Sequence, residues 1–343
     1  MNRPPTGIRG IYGGVPTRWI ERGETLADYG VNAVWIGSGS LTAEAIALLR
    51  EQGAYVYAEF NTMHDAAFVR GHPDSAPIGP DGAVCPTPDG WQGACPTHPG
   101  YRAHRLAAFR SAVREFEIDG IWLDYHHAHS SWEQATPILP DTCFCARCIE
   151  IFMRESGVAV PSGAPSDRSG FLLGEGRESW LTWRCAVFTG WVRDLRNILD
   201  AERPGALLGT FHCPWTDQER SGALRAKLAI DMRAQADFLD VFSPMPYHAR
   251  FGHVADVAWI RRQVEWLGGY LGIAGAPDEP KRIWPIVQVA DWGESVPVDQ
   301  VEAALASGSA PPATGVMAFA WHGLQDDEAK QRAIAAYYRR AGD

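Results

Sequence analysis

The feature that most constrains the fold is an alternation running the whole length of the chain. Short apolar runs recur at 7–12 (GIRGIY), 31–36 (VNAVWI), 54–60 (AYVYAEF), 119–124 (DGIWLD), 206–211 (ALLGTF), 238–243 (FLDVFS), 283–289 (IWPIVQV) and 315–320 (GVMAFA). Between them lie longer stretches with helical spacing, among them LTAEAIALLREQG, YRAHRLAAFRSAVREFE, WLTWRCAVFTGWVRDLRNILDAE and VADVAWIRRQVEWLGGYLG. Strands that are apolar almost throughout belong to a parallel sheet covered by helices. Eight such units in 343 residues predict an α/β fold, a closed (β/α)8 TIM barrel over 1–343. An open doubly wound sheet is the competing arrangement, and no Gly-rich phosphate loop follows the first strand to support it.

Two connections are too long to be simple linkers. Residues 61–100 follow the third run and are rich in Pro, Gly and His; residues 125–175 follow the fourth and end in VPSGAPSDRSG. Long βα loops belong to the barrel face that carries function, so both insertions are expected over the mouth.

Reading the strand ends on that face gives the candidate site. Glu59 ends the third strand, and the fourth runs into IDGIWLDYHHAHS, with Asp124, Tyr125, His126, His127 and His129. His212 and Trp215 follow the fifth strand, Tyr247 and His248 the sixth, Gln288, Asp291 and Trp292 the seventh, and Trp321 and His322 the eighth. Carboxylates, histidines and indoles around one mouth suit a carbohydrate. Glycosidases need two carboxylates about the scissile bond, and flat rings match the apolar faces of sugars. The plainer alternative for each acid is that it caps a helix or pairs with one of the many arginines. No lysine stands at a strand end, which argues against a Schiff-base aldolase.

Composition excludes other partners. A net charge of −10, with only three lysines and no basic run, does not suit nucleic acid. No run of about 18 apolar residues is available to span a membrane. The start, MNRPPTGIRGIYGG, lacks the apolar segment of a secretory signal, so a cytoplasmic location is expected. A homo-oligomer stays open.

Seven cysteines are an odd number, and three crowd into CFCARC as C-x-C-x2-C: Cys143, Cys145 and Cys148. That clustering suits a metal site better than a disulfide framework, and tetrahedral zinc wants a fourth soft ligand. Cys95 in the other long loop, within ACPTHPGYR, offers one; Cys85 is a weaker substitute. Free loop thiols are the alternative. The pairing resembles the zinc site of glycoside hydrolase family 42, the β-galactosidases, with Cys95, Pro99, Tyr101 and Arg102 matching its first piece and the CFCARC cysteines its second. The resemblance covers about 60 residues. It implies a structural Zn2+ held by four thiolates, joining the two long loops.

DGIWLDY together with IDMRAQADFLDVFSPMPYH is also similar to glycoside hydrolase barrels whose fourth strand reads D-G-I-x-L-D-Y and whose sixth reads V-D-Y-I-x-P-M-x-Y. Asp119, Asp124 and Tyr125 fit the first pattern, and Asp231, Asp240, Pro244, Met245 and Tyr247 the second. The resemblance implies Asp231 near the mouth opposite Asp124, as an acid/base partner. Departures stand beside it: His126 occupies the place of the family-18 chitinase glutamate, and the family-42 Asn-Glu pair is missing after the fourth strand.

The sequence therefore reads as a glycoside hydrolase with Asp124 as nucleophile or stabiliser and Asp231, Glu59 or Asp291 as its partner. Tyr125, His126, His127, His212, Trp215, Tyr247, His248, Gln288, Trp292, Trp321 and His322 are read as sugar contacts. Two rivals remain: a metal-dependent hydrolase or deacetylase with Asp124, His127 and His129 as ligands, and a sugar-binding barrel without catalysis.

Overall fold

The computed structural model describes residues 4–342; residues 1–3 and 343, part of the expected barrel span, lie outside the described residues. β1 (Ile8–Tyr12) pairs in parallel with β2 (Ala33–Gly37), β2 with β3 (Tyr55–Asn61), β3 with β4 (Gly120–Asp124), β4 with β5 (Leu207–His212) and β5 with β6 (Val241–Pro244). The seventh apolar run becomes two short strands, β7 (Arg282–Ile283) on β6 and β8 (Ile286–Gln288) on β9 (Gly315–Phe319), and β9 returns to β1. The two edges of the sheet are thus halves of one stretch of chain, and the sheet closes on itself as the predicted (β/α)8 barrel. Pro285 divides the strand because it has no N–H for the ladder. Its carbonyl still accepts from Met317 N (2.8 Å), while Trp284 N donates to Phe242 O (2.9 Å).

The barrel interior is filled by four fully buried rings, Trp35, Tyr57, Trp122 and Trp284, packed at centroid distances of 4.6 to 6.4 Å. Such rings fit only if their neighbours are small. A Cβ at Gly209 would stand 2.2 Å from the Trp122 ring, and one at Gly10 would stand 2.5 Å from that of Trp35.

The two aspartates that open the D-G-I-x-L-D-Y and V-D-Y-I matches share one task at the far, N-terminal end. Asp119 Oδ2 accepts from Val56 N (2.7 Å) at the start of β3, and Asp240 Oδ2 accepts from Leu208 N (2.8 Å) at the start of β5. Each caps a neighbour's ladder, and conservation of shape at that face serves stability.

The helix Arg177–Glu202 shows how the long loops are carried. At 26 residues it is about 39 Å long, more than a barrel strand needs. Its second half packs Val192, Leu195 and Leu199 on the barrel core, and its first half packs Trp180, Leu181 and Trp183 into a separate cluster with Cys95, Cys143, Phe144 and Cys148.

Candidate active site

At the C-terminal end of the strands lies a cavity of about 380 Å³, in the size range of small-ligand sites. Tyr12 at the end of β1, Asp124 at the end of β4, Tyr247 after β6, Trp292 after β8 and His322 after β9 line it, and Trp91, Tyr125 and Glu133 reach in from the two long loops. The chain reverses sharply after Asp124. Tyr125 takes φ 47°, a left-handed conformation disfavoured for a bulky residue. This turn brings Tyr125 N back to Asp124 Oδ1 (2.8 Å) and lays the tyrosine ring between His64 (4.4 Å) and Trp91 (4.7 Å).

Three acids converge here. Glu59 in β3 accepts from Tyr12 Oη (2.8 Å), and its charge acts on Asp124 at the end of the paired strand β4. Burial raises both, and the charge of Glu59 raises Asp124 further, well above the usual carboxylate range. Two carboxyls that act on each other in this way disfavour double ionisation, so each makes the other easier to protonate. Glu133 is the third. Burial pushes it up to about 7 and Glu59 adds to this, while Arg250 pulls it down. Sequence reasoning missed Glu133: SSWEQ carries no periodic or motif signal, and its only clue was membership of the long loop over the mouth.

Other expected site residues are placed elsewhere. Asp231 lies in a separate cleft with Arg177, Arg233 and Tyr270, where its carboxylate caps the helix Met232–Gln235 through Ala234 N (3.0 Å). Asp291 is outward, 57% exposed, held by Lys330 Nζ (2.5 Å) and Val296 N (2.8 Å). The Lys330 contact lowers its pKa, the opposite of what a proton donor needs. Trp321 packs against Trp19 (4.8 Å), and Trp215 against Trp132 and Phe251, as buried core. Gln288 is fully buried and accepts from Arg250 N (3.0 Å).

The histidines serve mainly as struts. His126 bonds Phe188 O (3.0 Å), His212 bonds Cys213 O (2.9 Å), and burial drives each down to about 4. His248 bonds Gln300 Oε1 (3.2 Å), and His127 Nδ1 bonds Ala128 O (2.8 Å). His129 accepts from Gly93 N at Nδ1 (3.1 Å) and donates to Pro86 O from Nε2 (2.9 Å), stitching the two long loops together. Both of its nitrogens are thus engaged, and Asp124, His127 and His129 are not among the side chains that the structure gathers into a metal-ligating group within the described residues.

A different group can hold a metal. The sulfurs of Cys95, Cys143, Cys145 and Cys148 all lie within 4.8 Å of one another, the one such cluster among the described residues. Cys95 Sγ is 3.7 Å from Cys145 Sγ and 3.6 Å from Cys148 Sγ. Tetrahedral zinc with bonds of about 2.3 Å would set sulfurs about 3.8 Å apart. Ile78 N donates to Cys143 Sγ (3.3 Å), Cys148 N to Cys145 Sγ (3.4 Å) and Thr97 Oγ1 meets Cys148 Sγ (3.1 Å), the kind of outer contacts that thiolates use. Cys85 is not in the cluster.

The strands define a closed α/β barrel with a polar and aromatic cavity at its C-terminal mouth. No protein-family model matches the sequence, and no curated protein matches it. Among solved structures, the chain is similar to the PgaB (BpsB) glycoside hydrolase domain from Bordetella bronchiseptica, with 12% identity and a TM-score of 0.70, covering 98% of this chain and 99% of that one. It is also similar to a GH42 β-galactosidase from G. stearothermophilus (13% identity, TM-score 0.64, 99% of this chain and 58% of that one). A β-galactosidase from Rahnella sp. R3 gives 14% identity and a TM-score of 0.65, again over 99% and 58%. The chain thus spans a little over half the length of those β-galactosidases. At such identities the likeness shows the fold alone, an α/β barrel. No helix among the described residues is long and apolar enough to cross a membrane.

Proposed function

We propose that the chain is a glycoside hydrolase that cleaves a glycosidic bond of a glycan or glycoside bound in the mouth. One observation carries this reading: Asp124 and Glu133, with Glu59 behind Asp124, face a cavity walled by Tyr12, Trp91, Tyr125, Tyr247 and Trp292. Asp124 is the member of its pair with Glu59 that lines the cavity. Positive charge developing at an anomeric carbon draws negative charge onto Asp124. Glu133, with a pKa near 7, retains a proton near neutrality and can give it up to a leaving oxygen. The aromatic walls offer faces for sugar rings, and the tyrosine hydroxyls offer donors for sugar oxygens.

The ion we assign to the four cysteines is zinc. Four thiolates close its coordination, so its role is to hold the long loops in place and not to act on substrate. The test of the catalytic reading is a panel of chromogenic glycosides and natural glycans, assayed with wild type beside Asp124→Asn. Turnover by wild type that the variant loses supports it; equal turnover by both refutes the role of Asp124.

A further inference from the structure

We propose that Arg250 is the positioning residue of the mouth, fixing Glu133 over the cavity by joining three separate loops through one guanidinium. This rests on the reading of Glu133 as the proton donor and adds how that acid is held and tuned. Arg250 follows β6. Its Nε donates to the backbone carbonyl of Glu133 (2.8 Å) in the loop after β4, and its Nη1 donates to Glu294 Oε1 (3.0 Å) in the loop after β8. The same guanidinium lies over the Trp292 ring, 4.8 Å from its centroid, and the backbone N of Arg250 is fixed by Gln288 Oε1 (3.0 Å). A planar fork can do all of this at once; a lysine ammonium cannot. Two residues beyond Glu133, Ala135 O accepts from Arg220 Nη2 (2.9 Å), so the segment is tied at two points to neighbouring loops.

The position has an electrostatic side. The groups acting on or facing Glu133 are Glu59 and Asp124 from β3 and β4, Tyr125 and Tyr247 from the loops, Cys213 after β5, and Arg250. Arg250 is the cation of this set, and Glu294 partly neutralises it. Removing the guanidinium therefore raises the pH at which Glu133 ionises. Removing the Glu294 charge leaves the guanidinium more effective and lowers it. A residue that merely packed would give neither sign.

The test reads Glu133 without any substrate. Thermal stability is followed from pH 4 to 9 in the full chain, and the contribution of Glu133 is taken as the difference from Glu133→Gln in each background. Arg250→Met should move the Glu133 transition upward by about one pH unit, and Glu294→Gln should move it downward. Hydrogen exchange of the amides at Gln134 and Ala135 should accelerate at least tenfold in Arg250→Met, with partial recovery in Arg250→Lys. If Arg250→Met fails to fold, the Glu294→Gln shift and the Arg250→Lys exchange rates still decide the matter. Transitions that stay in place, or shift the same way in both charge variants, together with unchanged loop exchange, overturn the proposal. Should no glycoside be turned over, these readouts stand unaffected, so failure of the catalytic reading is separable from failure of this one.

Discussion

The two long loops build two polar clusters of opposite character. Around the cysteines, each sulfur faces other sulfurs, backbone N–H groups or a hydroxyl, and little is left for a further partner. Around the mouth, three acids crowd together with one nearby cation, and their carboxyls line or back an open cavity. The first arrangement can be completed by a single ion held within the fold. The second is satisfied only by what enters from outside. The contrast teaches that proximity of polar groups does not mark a reactive site; incomplete pairing in a cavity does.

The sharpest way to break this contrast is Asp124→Asn, which keeps shape and removes charge. Turnover should fall on the order of 10³-fold while thermal stability stays close to wild type. A stable variant with near wild-type kcat would erase the distinction. Next comes Glu133→Gln, with an expected loss of about 10²-fold in kcat/KM and removal of the alkaline limb near pH 7. The same residue leaves a stability signature. Its folded pKa, about 7, lies above its unfolded value of about 4.5, so folding retains a proton between the two. Wild type should therefore lose stability as pH rises from about 4.5 to 7, by a few kcal/mol at most, and Glu133→Gln should lack that loss. Melting curves at pH 5 and 8 check it.

Cys145→Ser should invert the pattern. Bound metal, near one equivalent by elemental analysis in wild type, should drop, and Tm should fall by roughly 5 °C or more, while kcat changes less than tenfold. If that variant loses turnover at unchanged Tm, the cysteine cluster is part of the chemistry. The smallest effects belong to the acids outside the mouth. Asp231→Asn and Asp291→Asn should each leave kcat/KM within about threefold, with small changes in Tm, because Asn still caps the helix at 231 and only a surface ion pair is lost at 291.

The barrel was legible because its signal is local and repeated: every apolar run from 7–12 to 315–320 became a strand segment. The seventh run, IWPIVQV, reads as one strand by its apolar pattern, and the structure corrects this to two segments divided at Pro285. The four-cysteine grouping was legible because soft ligands at metal spacing are rare by chance. The mouth was legible only in part. Asp124, Tyr125, Tyr247, Trp292 and His322 line the cavity, yet strand-end position could not tell which way Trp321 or Gln288 would face. A one-residue change of phase along a strand end exchanges core for cavity. Nor could it show that Lys330, far along the chain, would claim Asp291. Glu133 depended on loop geometry, which no short pattern records.

The divided seventh strand carries a mechanical consequence. It joins its neighbours through two residue pairs on one side and three on the other, against five along β2–β3 and β3–β4. Fewer paired residues hold this stave than hold β3, so it is the less firmly laddered part of the wall. Trp292 stands just beyond its end. Breathing at this stave would widen the mouth on the Trp292 side while the opposite wall, anchored by β3 and β4 with Glu59 and Asp124, stays still. A ligand in the mouth would then meet a yielding wall on one side and, on the other, the firmly laddered wall that carries Glu59 and Asp124.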